Sequence, residues 1–166
     1  MEIIKTIKKL TVIIAIIGLA IATSCVKEGP TGATGNANVY ANTYVINAWS
    51  VNSNNFYTDI YVSALTSDVQ NYGTVQVFFS YNSGNDWNAM PFTYSSNPYY
   101  VMTYSTEVHH VFVDWIYSGT GFGTDPNTVY GTSCMFKVVV IPPAAKRPNV
   151  NMNNYAEVKA VYGLKD

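Results

Sequence analysis

From residue 39 onward, apolar and polar residues alternate with a period of two over much of the chain. Phe56, Thr58, Ile60, Val62 and Ala64 fall on one side of an extended segment, with Tyr57, Asp59, Tyr61 and Ser63 on the other. That period belongs to a strand with one buried face. Residues 39–49 read the same way, with Val39, Ala41, Thr43 and Val45 together, as do residues 74–81, with Val75, Val77, Phe79 and Tyr81 inward. Residues 87–94 are expected to pair back on that strand, 95–98 to turn, and 99–105 to form a short strand. Residues 107–118 place Val111, Val113 and Trp115 on one face and Phe112 and Ile116 on the other. Two apolar faces predict a central strand. A last strand spans 131–141 and is stopped by Pro142 and Pro143.

Two segments lose this alternation. Over 65–72, Thr66 or Ser67 caps one helical turn that Gly73 ends. In the tail, Asn154 and Glu157 have the spacing of a cap, Tyr155, Val158 and Tyr162 share a helical face, and Gly163 is a stop. Ala156, Val158, Ala160 and Tyr162 also alternate as a strand would, and the expectation is a short helix. Residues 119–128 read as a glycine-rich loop with no helix after it to receive a phosphate. The expected fold is mainly β: a single antiparallel β-sandwich of seven to nine strands with a short C-terminal helix, over residues 39–166.

The start of the chain has a different pattern. Lys5, Lys8 and Lys9 precede a 13-residue apolar run, 10–22, and small residues Ala22, Thr23 and Ser24 follow. Positive, then apolar, then small is the order of a secretory signal peptide. The run is short for a membrane-spanning helix, which needs roughly 20 apolar residues. Ala22-Thr23-Ser24-Cys25 resembles the bacterial lipobox, with alanine where leucine is commoner. An ordinary signal peptide that contains a cysteine, or a stubby membrane anchor, are the alternatives. The lipobox resemblance implies that residues 1–24 are removed and that Cys25 is lipidated. Each buried acyl CH₂ adds about 0.8 kcal/mol of membrane affinity, and stable anchoring takes more than one chain. Residues 25–38 then form a tether. Gly29, Gly32 and Gly35 recur at every third position, but two collagen-like repeats make a solvated spacer, not a triple helix.

Composition narrows the partners. Without the first 24 residues, Lys+Arg falls from 9 to 6 and Asp+Glu from 10 to 9, leaving −3. With no basic patch, no nucleic-acid partner is expected. If Cys25 carries lipid, Cys134 has no partner for a disulfide, and its strand-like surroundings predict a buried structural thiol. The 14 tyrosines and many asparagines suit strands and turns, although an AT-rich genome would also produce them.

Ser80, Asn82, Gly84 and Trp87 are similar to the Asp-box, Ser-x-Asp-x-Gly-x-x-Trp, with asparagine in place of aspartate. In that motif the residues build a hairpin and carry no catalysis. A lipobox cysteine, a short Gly-rich tract and a Tyr-rich β domain together resemble Bacteroidetes-type lipoproteins. The likeness extends to Trp87-Asn88-Ala89-Met90-Pro91, Val138-Val139-Val140-Ile141-Pro142 and Tyr155-Ala156-Glu157-Val158-Lys159. It implies one β-rich domain without an assigned activity.

Candidate chemistry is sparse. In a strand, His109 and His110 point to opposite faces and cannot easily share a metal. His110 and Asp114 are about 13 Å apart along a straight strand, too far for a hydrogen bond. The acids are scattered, and Asp114, inside an apolar strand, is the one whose surroundings matter most. No hydrolase, zinc or redox motif occurs, and no metal or cofactor is expected. Tyr57 with Tyr61, and Tyr100 with Tyr104, are candidates for a flat glycan-binding platform, unless they fill the core. The expected function is that of a non-catalytic structural or interaction lipoprotein of the cell envelope, at the outer membrane. Its partners would be the membrane, through the lipid, and an envelope protein. A glycan-binding or adhesive module is the alternative.

Overall fold

Two antiparallel sheets account for the alternating pattern. The computed structural model describes residues 38–53, 55–97 and 99–165, and Gly35–Asp166 is one compact unit. Cys25, the segment expected to be a signal peptide and most of the expected tether lie outside the described residues. The strands are β1 (Tyr40–Ile46), β2 (Ser50–Asn52), β3 (Asn55–Tyr61), β4 (Thr74–Ser80), β5 (Asn88–Ala89), β6 (Phe92–Thr93), β7 (Tyr100–Glu107), β8 (His110–Tyr117) and β9 (Cys134–Ile141). The first sheet has the order β1-β9-β4-β5 and the second β2-β3-β8-β7-β6. The helices are α1 (Ser67–Tyr72), α2 (Pro126–Tyr130) and α3 (Tyr155–Tyr162), with a 3-10 turn at Pro143–Ala145. The fold is the expected mainly β sandwich with a short C-terminal helix.

The main core lies between the sheets. Ile60, Val111, Val113 and Trp115 of the second sheet meet Val77, Phe79, Phe136, Val138 and Val140 of the first. β8 is central in its sheet, as its two apolar faces predict. A second, smaller core covers the back of the first sheet, where Phe78, Val139 and Ile141 pack under Val158 and Tyr162 of α3. β4 and β9 are therefore buried on both faces. That accounts for the unbroken apolar run 138–141 and for the adjacent Phe78 and Phe79, each aimed at a different core.

Several boundaries differ from those read in the sequence. The segment 107–118 is not one strand: β7 and β8 meet in a tight turn at Val108 and His109, with Glu107 opposite His110. His109 takes a left-handed φ of 68°, a conformation that Asn or Gly would have advertised. Residues 87–94 do not pair with one strand. Asn88 and Ala89 pair with β4, the chain crosses at the cis Met90–Pro91 peptide, and Phe92 and Thr93 pair with β7 in the other sheet. β1 stops at Ile46, and the positions it sends into the main core are Tyr40, Tyr44 and Ile46. Val39 and Ala41 face the second core instead, and Val45 is exposed.

The loop 119–128 ends in a helix that the sequence reading left out. Asp125 accepts from Thr128 N at 3.1 Å, Pro126 opens α2, and Gly131 closes it. Asp-Pro is a helix-start signal. The capping carboxylate already occupies that helix start. Next in α2, Asn127 joins three segments: its Oδ1 accepts from Trp49 Nε1 and Cys134 N, and its Nδ2 donates to Ile46 O.

The tail is helical. Asn154 Oδ1 accepts from Glu157 N at 3.2 Å, and Glu157 Oε1 accepts from Asn151 N at 2.9 Å. The apolar stripe of Tyr155, Val158 and Tyr162 has a sheet face to cover, which a strand at that position could not do. In α1 it is Thr66, of the two candidates, whose side chain accepts from Val69 N.

Candidate functional site

The four tyrosines named from the sequence do not form one platform. Tyr57 and Tyr61 stand on the outer face of the second sheet, 38% and 61% exposed. Tyr100 and Tyr104 point the other way, into the core. Tyr100 stacks on Trp115 with ring centroids 4.8 Å apart, and its hydroxyl accepts from Thr124 N at 2.8 Å. Tyr104 donates to Val75 O at 3.0 Å. Each pair does share one face of its own strand. The pairing register sets which face each pair takes: Tyr57 is opposite Asp114, whereas Tyr104 is opposite the buried Val113.

Around Tyr57 and Tyr61 the outer face has a definite chemistry. Asp59 lies between them, and its carboxylate reaches His110 Nδ1 at 2.8 and 3.0 Å. The His110 ring lies parallel to Phe112 at 5.8 Å and edge-on to Tyr61 at 5.7 Å. The sequence reading of His110 looked along its own strand to Asp114. The partner stands on the neighbouring strand, one diagonal away, within reach of side chains. The pair is about 40% exposed, so it orders this surface more than it stabilises the fold. Tyr57 and Tyr61, four residues apart, stand about 13 Å from each other along β3.

Asp114 is on the same face, across from Tyr57 on one side and Thr103 on the other. Partial burial pushes its carboxyl above the usual range. Its native state therefore holds a proton to higher pH than the unfolded chain does. That contribution is fully present below the unfolded value and is lost as pH rises through the folded one. Asp114→Asn is expected to raise stability at pH 7 and to leave it unchanged below about pH 4, as checked by urea denaturation at the two pH values.

Concave surfaces gather around Trp87. In the β4–β5 hairpin, Ser80 Oγ accepts from Gly84 N at 3.0 Å and donates to Asn82 Oδ1 at 2.8 Å, and Asn82 Oδ1 accepts from Asp86 N at 3.0 Å. Asparagine thus fills the place of the motif's aspartate, and Gly84 takes a φ of 83°. Trp87 folds beneath, with its ring 5.7 Å from Tyr155 of α3. Three clefts share Trp87 as a wall. Beside it lies Lys137, only 4% exposed, which donates to Tyr155 Oη at 2.8 Å. Its ammonium sits 4.8 Å from the Trp87 ring centroid and 5.0 Å from that of Tyr155. The sequence reading passed over Lys137. Its signal was a charge between Phe136 and Val138 in an otherwise apolar strand.

Cys134 is fully buried, and burial raises its thiol to about 12, so it is inert. Among the described residues no three His, Cys, Asp or Glu side chains gather to hold a metal, and no helix is long and apolar enough to cross a membrane. Compared with known proteins, the chain matches no family model, no curated protein and no solved structure.

Proposed function

We propose that this chain is a lipid-anchored protein of the cell envelope, held at the outer membrane through Cys25, that acts by binding and not by catalysis. Its N-terminal pattern supports export and lipidation. The binding face on this reading is the outer surface of the second sheet. The observation that carries it is the exposed Tyr57–Tyr61 pair flanking an ordered Asp59–His110 contact. Exposed aromatic rings lose little freedom on binding and offer wide apolar area with a polar tip. Such a face suits an envelope protein. A glycan is the second reading, favoured by the spacing of two rings about 13 Å apart with a carboxylate between them.

Two measurements test this. Cys25→Ser is expected to leave the chain unprocessed and to move it out of the lipid-anchored fraction; processing and anchoring as before would sink the anchor. For the face, the full-length protein in detergent is titrated against a glycan panel, followed by intrinsic fluorescence, and is cross-linked in whole cells. Saturable glycan binding lost in Tyr57→Ala and Tyr61→Ala establishes the glycan reading. A silent panel with a cross-link at this face establishes the protein partner. Tyr57→Ala and Tyr61→Ala variants that change neither readout would remove this face from the function.

A further inference from the structure

We propose that the cleft between the β4–β5 hairpin and the uncovered end of the first sheet binds a carboxylate-bearing sugar, with Lys137 as the anion anchor and Trp87 as the wall against the ring. The cleft measures about 380 Å³ and is lined by Asn42, Thr43, Ser83, Trp87, Lys137 and Lys165, among others. That is the small end of the range for small-molecule sites. It lies on the opposite sheet from Tyr57 and Tyr61 and does not depend on their role.

Charge is the first argument. Among the described residues, two lysines line this cleft and no acid does. Exposed lysines are ordinary, but Lys137 is 4% exposed. Its ammonium has three donors; one goes to Tyr155 Oη, and the other two have no acceptor among the described residues. No described carboxylate lies within ion-pair distance of it. The rings of Trp87 and Tyr155 offer their negative faces, which soften the burial of a cation without neutralising it. A buried charge is costly until it is paired and hydrogen-bonded. An anion entering the cleft supplies both the counter-charge and the missing acceptors.

The rest of the lining selects the anion. A bare inorganic ion needs only donors. Here an indole forms one wall, and short amide and hydroxyl side chains, Asn42, Thr43 and Ser83, form the rim. Apolar C–H groups against a ring, hydroxyls toward a mixed donor–acceptor rim, and one carboxylate toward an ammonium describe an acidic sugar. Thr43 stands directly across from Lys137 in the β1–β9 ladder, so the anchor and one side of the rim sit on paired, rigid strands. The β4–β5 hairpin supplies the other side.

The test is calorimetric titration of the full-length protein in detergent with D-glucuronate, D-glucose, acetate and inorganic phosphate. Glucuronate is expected to saturate, with glucose, acetate and phosphate each weaker by about tenfold or more, the scale of one charged hydrogen bond. Lys137→Met keeps the length of the side chain without its charge and should weaken glucuronate binding by about tenfold. Lys165→Ala changes a rim residue and should weaken it a few-fold; it carries the decision should the Lys137 variant lose its cooperative thermal transition. Tyr57→Ala should have no effect, which separates this site from the outer face of the second sheet. Glucose binding as tightly as glucuronate, phosphate binding as tightly, unchanged affinity in the lysine variants, or no saturation would each overturn the proposal.

Discussion

Trp115→Ala is expected to remove about 4 kcal/mol of stability, a figure in the usual range for truncating a fully buried aromatic side chain. Trp115 is wholly buried, stacks on Tyr100 at 4.8 Å and approaches Tyr94 and Tyr130 at 6.3 and 6.0 Å. Its Nε1 donates to Thr124 O at 3.0 Å while Tyr100 Oη accepts from Thr124 N. The two rings together satisfy both backbone groups of one residue in the loop before α2. Alanine would leave a cavity, free one face of Tyr100 and orphan the Thr124 carbonyl. For a domain whose total stability is about 5–15 kcal/mol, that is a large part of the whole. Trp115→Phe keeps most of the stacking and loses the hydrogen bond, so a cost of about 1–2 kcal/mol is expected. Urea denaturation measures both. A Trp115→Ala midpoint close to that of the parent would show that this stack carries little of the domain's stability.

Gly73→Ala is the second large effect, and its cause is contact, not conformation. Gly73 has an ordinary φ of −82°, which alanine adopts freely. A Cβ there would stand 2.7 Å from Val69 O and 2.8 Å from Ile141 O. Both are backbone atoms, fixed by α1 and by the β4–β9 ladder, so no side chain can turn aside. The residue also donates to Val69 O at 2.7 Å to close the helix. Alanine must push α1 away from the first sheet, at a cost of about 3 kcal/mol, the upper part of the range for overpacking. Gly121→Ala is the control, because a Cβ there meets nothing within 4 Å. Any cost at Gly121 reports its φ of 92° alone. Equal, small losses at both sites in thermal denaturation would contradict the contact argument.

Much of the fold was legible because burial here follows strand period. The face of β3 with Phe56 and Ile60 inward, the central position of β8, a cap at Thr66 or Ser67 and the hairpin at Ser80–Trp87 all follow from local chemistry. The tail showed two periods at once, and local pattern could not arbitrate between them. What decided it was an apolar sheet face made by Phe78, Val139 and Ile141, residues far from it in sequence. The same limit governs the sites. Tyr57–Tyr61 and Tyr100–Tyr104 each show a pair on one face of a strand, but which face looks outward is set by pairing register. The β7–β8 turn at His109 lacks the residues that normally mark such turns, so two strands read as one. Lys137 was readable as an anomaly in an apolar run, but only its meeting with Trp87 and Tyr155 gives it chemical meaning.

β9 lies between β1 and β4, yet it is made after both of them. Tyr40 pairs with Val140, a hundred residues later in the chain. While the ribosome is adding residues up to the middle of the chain, neither β1 nor β4 has β9 beside it, and the back of their sheet waits still longer for α3. Such long-range closure is slow to nucleate, and it gives the growing N-terminal half no stable piece of its own. The first sheet can therefore close only once nearly all of the domain has been synthesised. On the export proposed above for this chain, a delay of that kind would keep the domain unfolded while it passes a narrow channel.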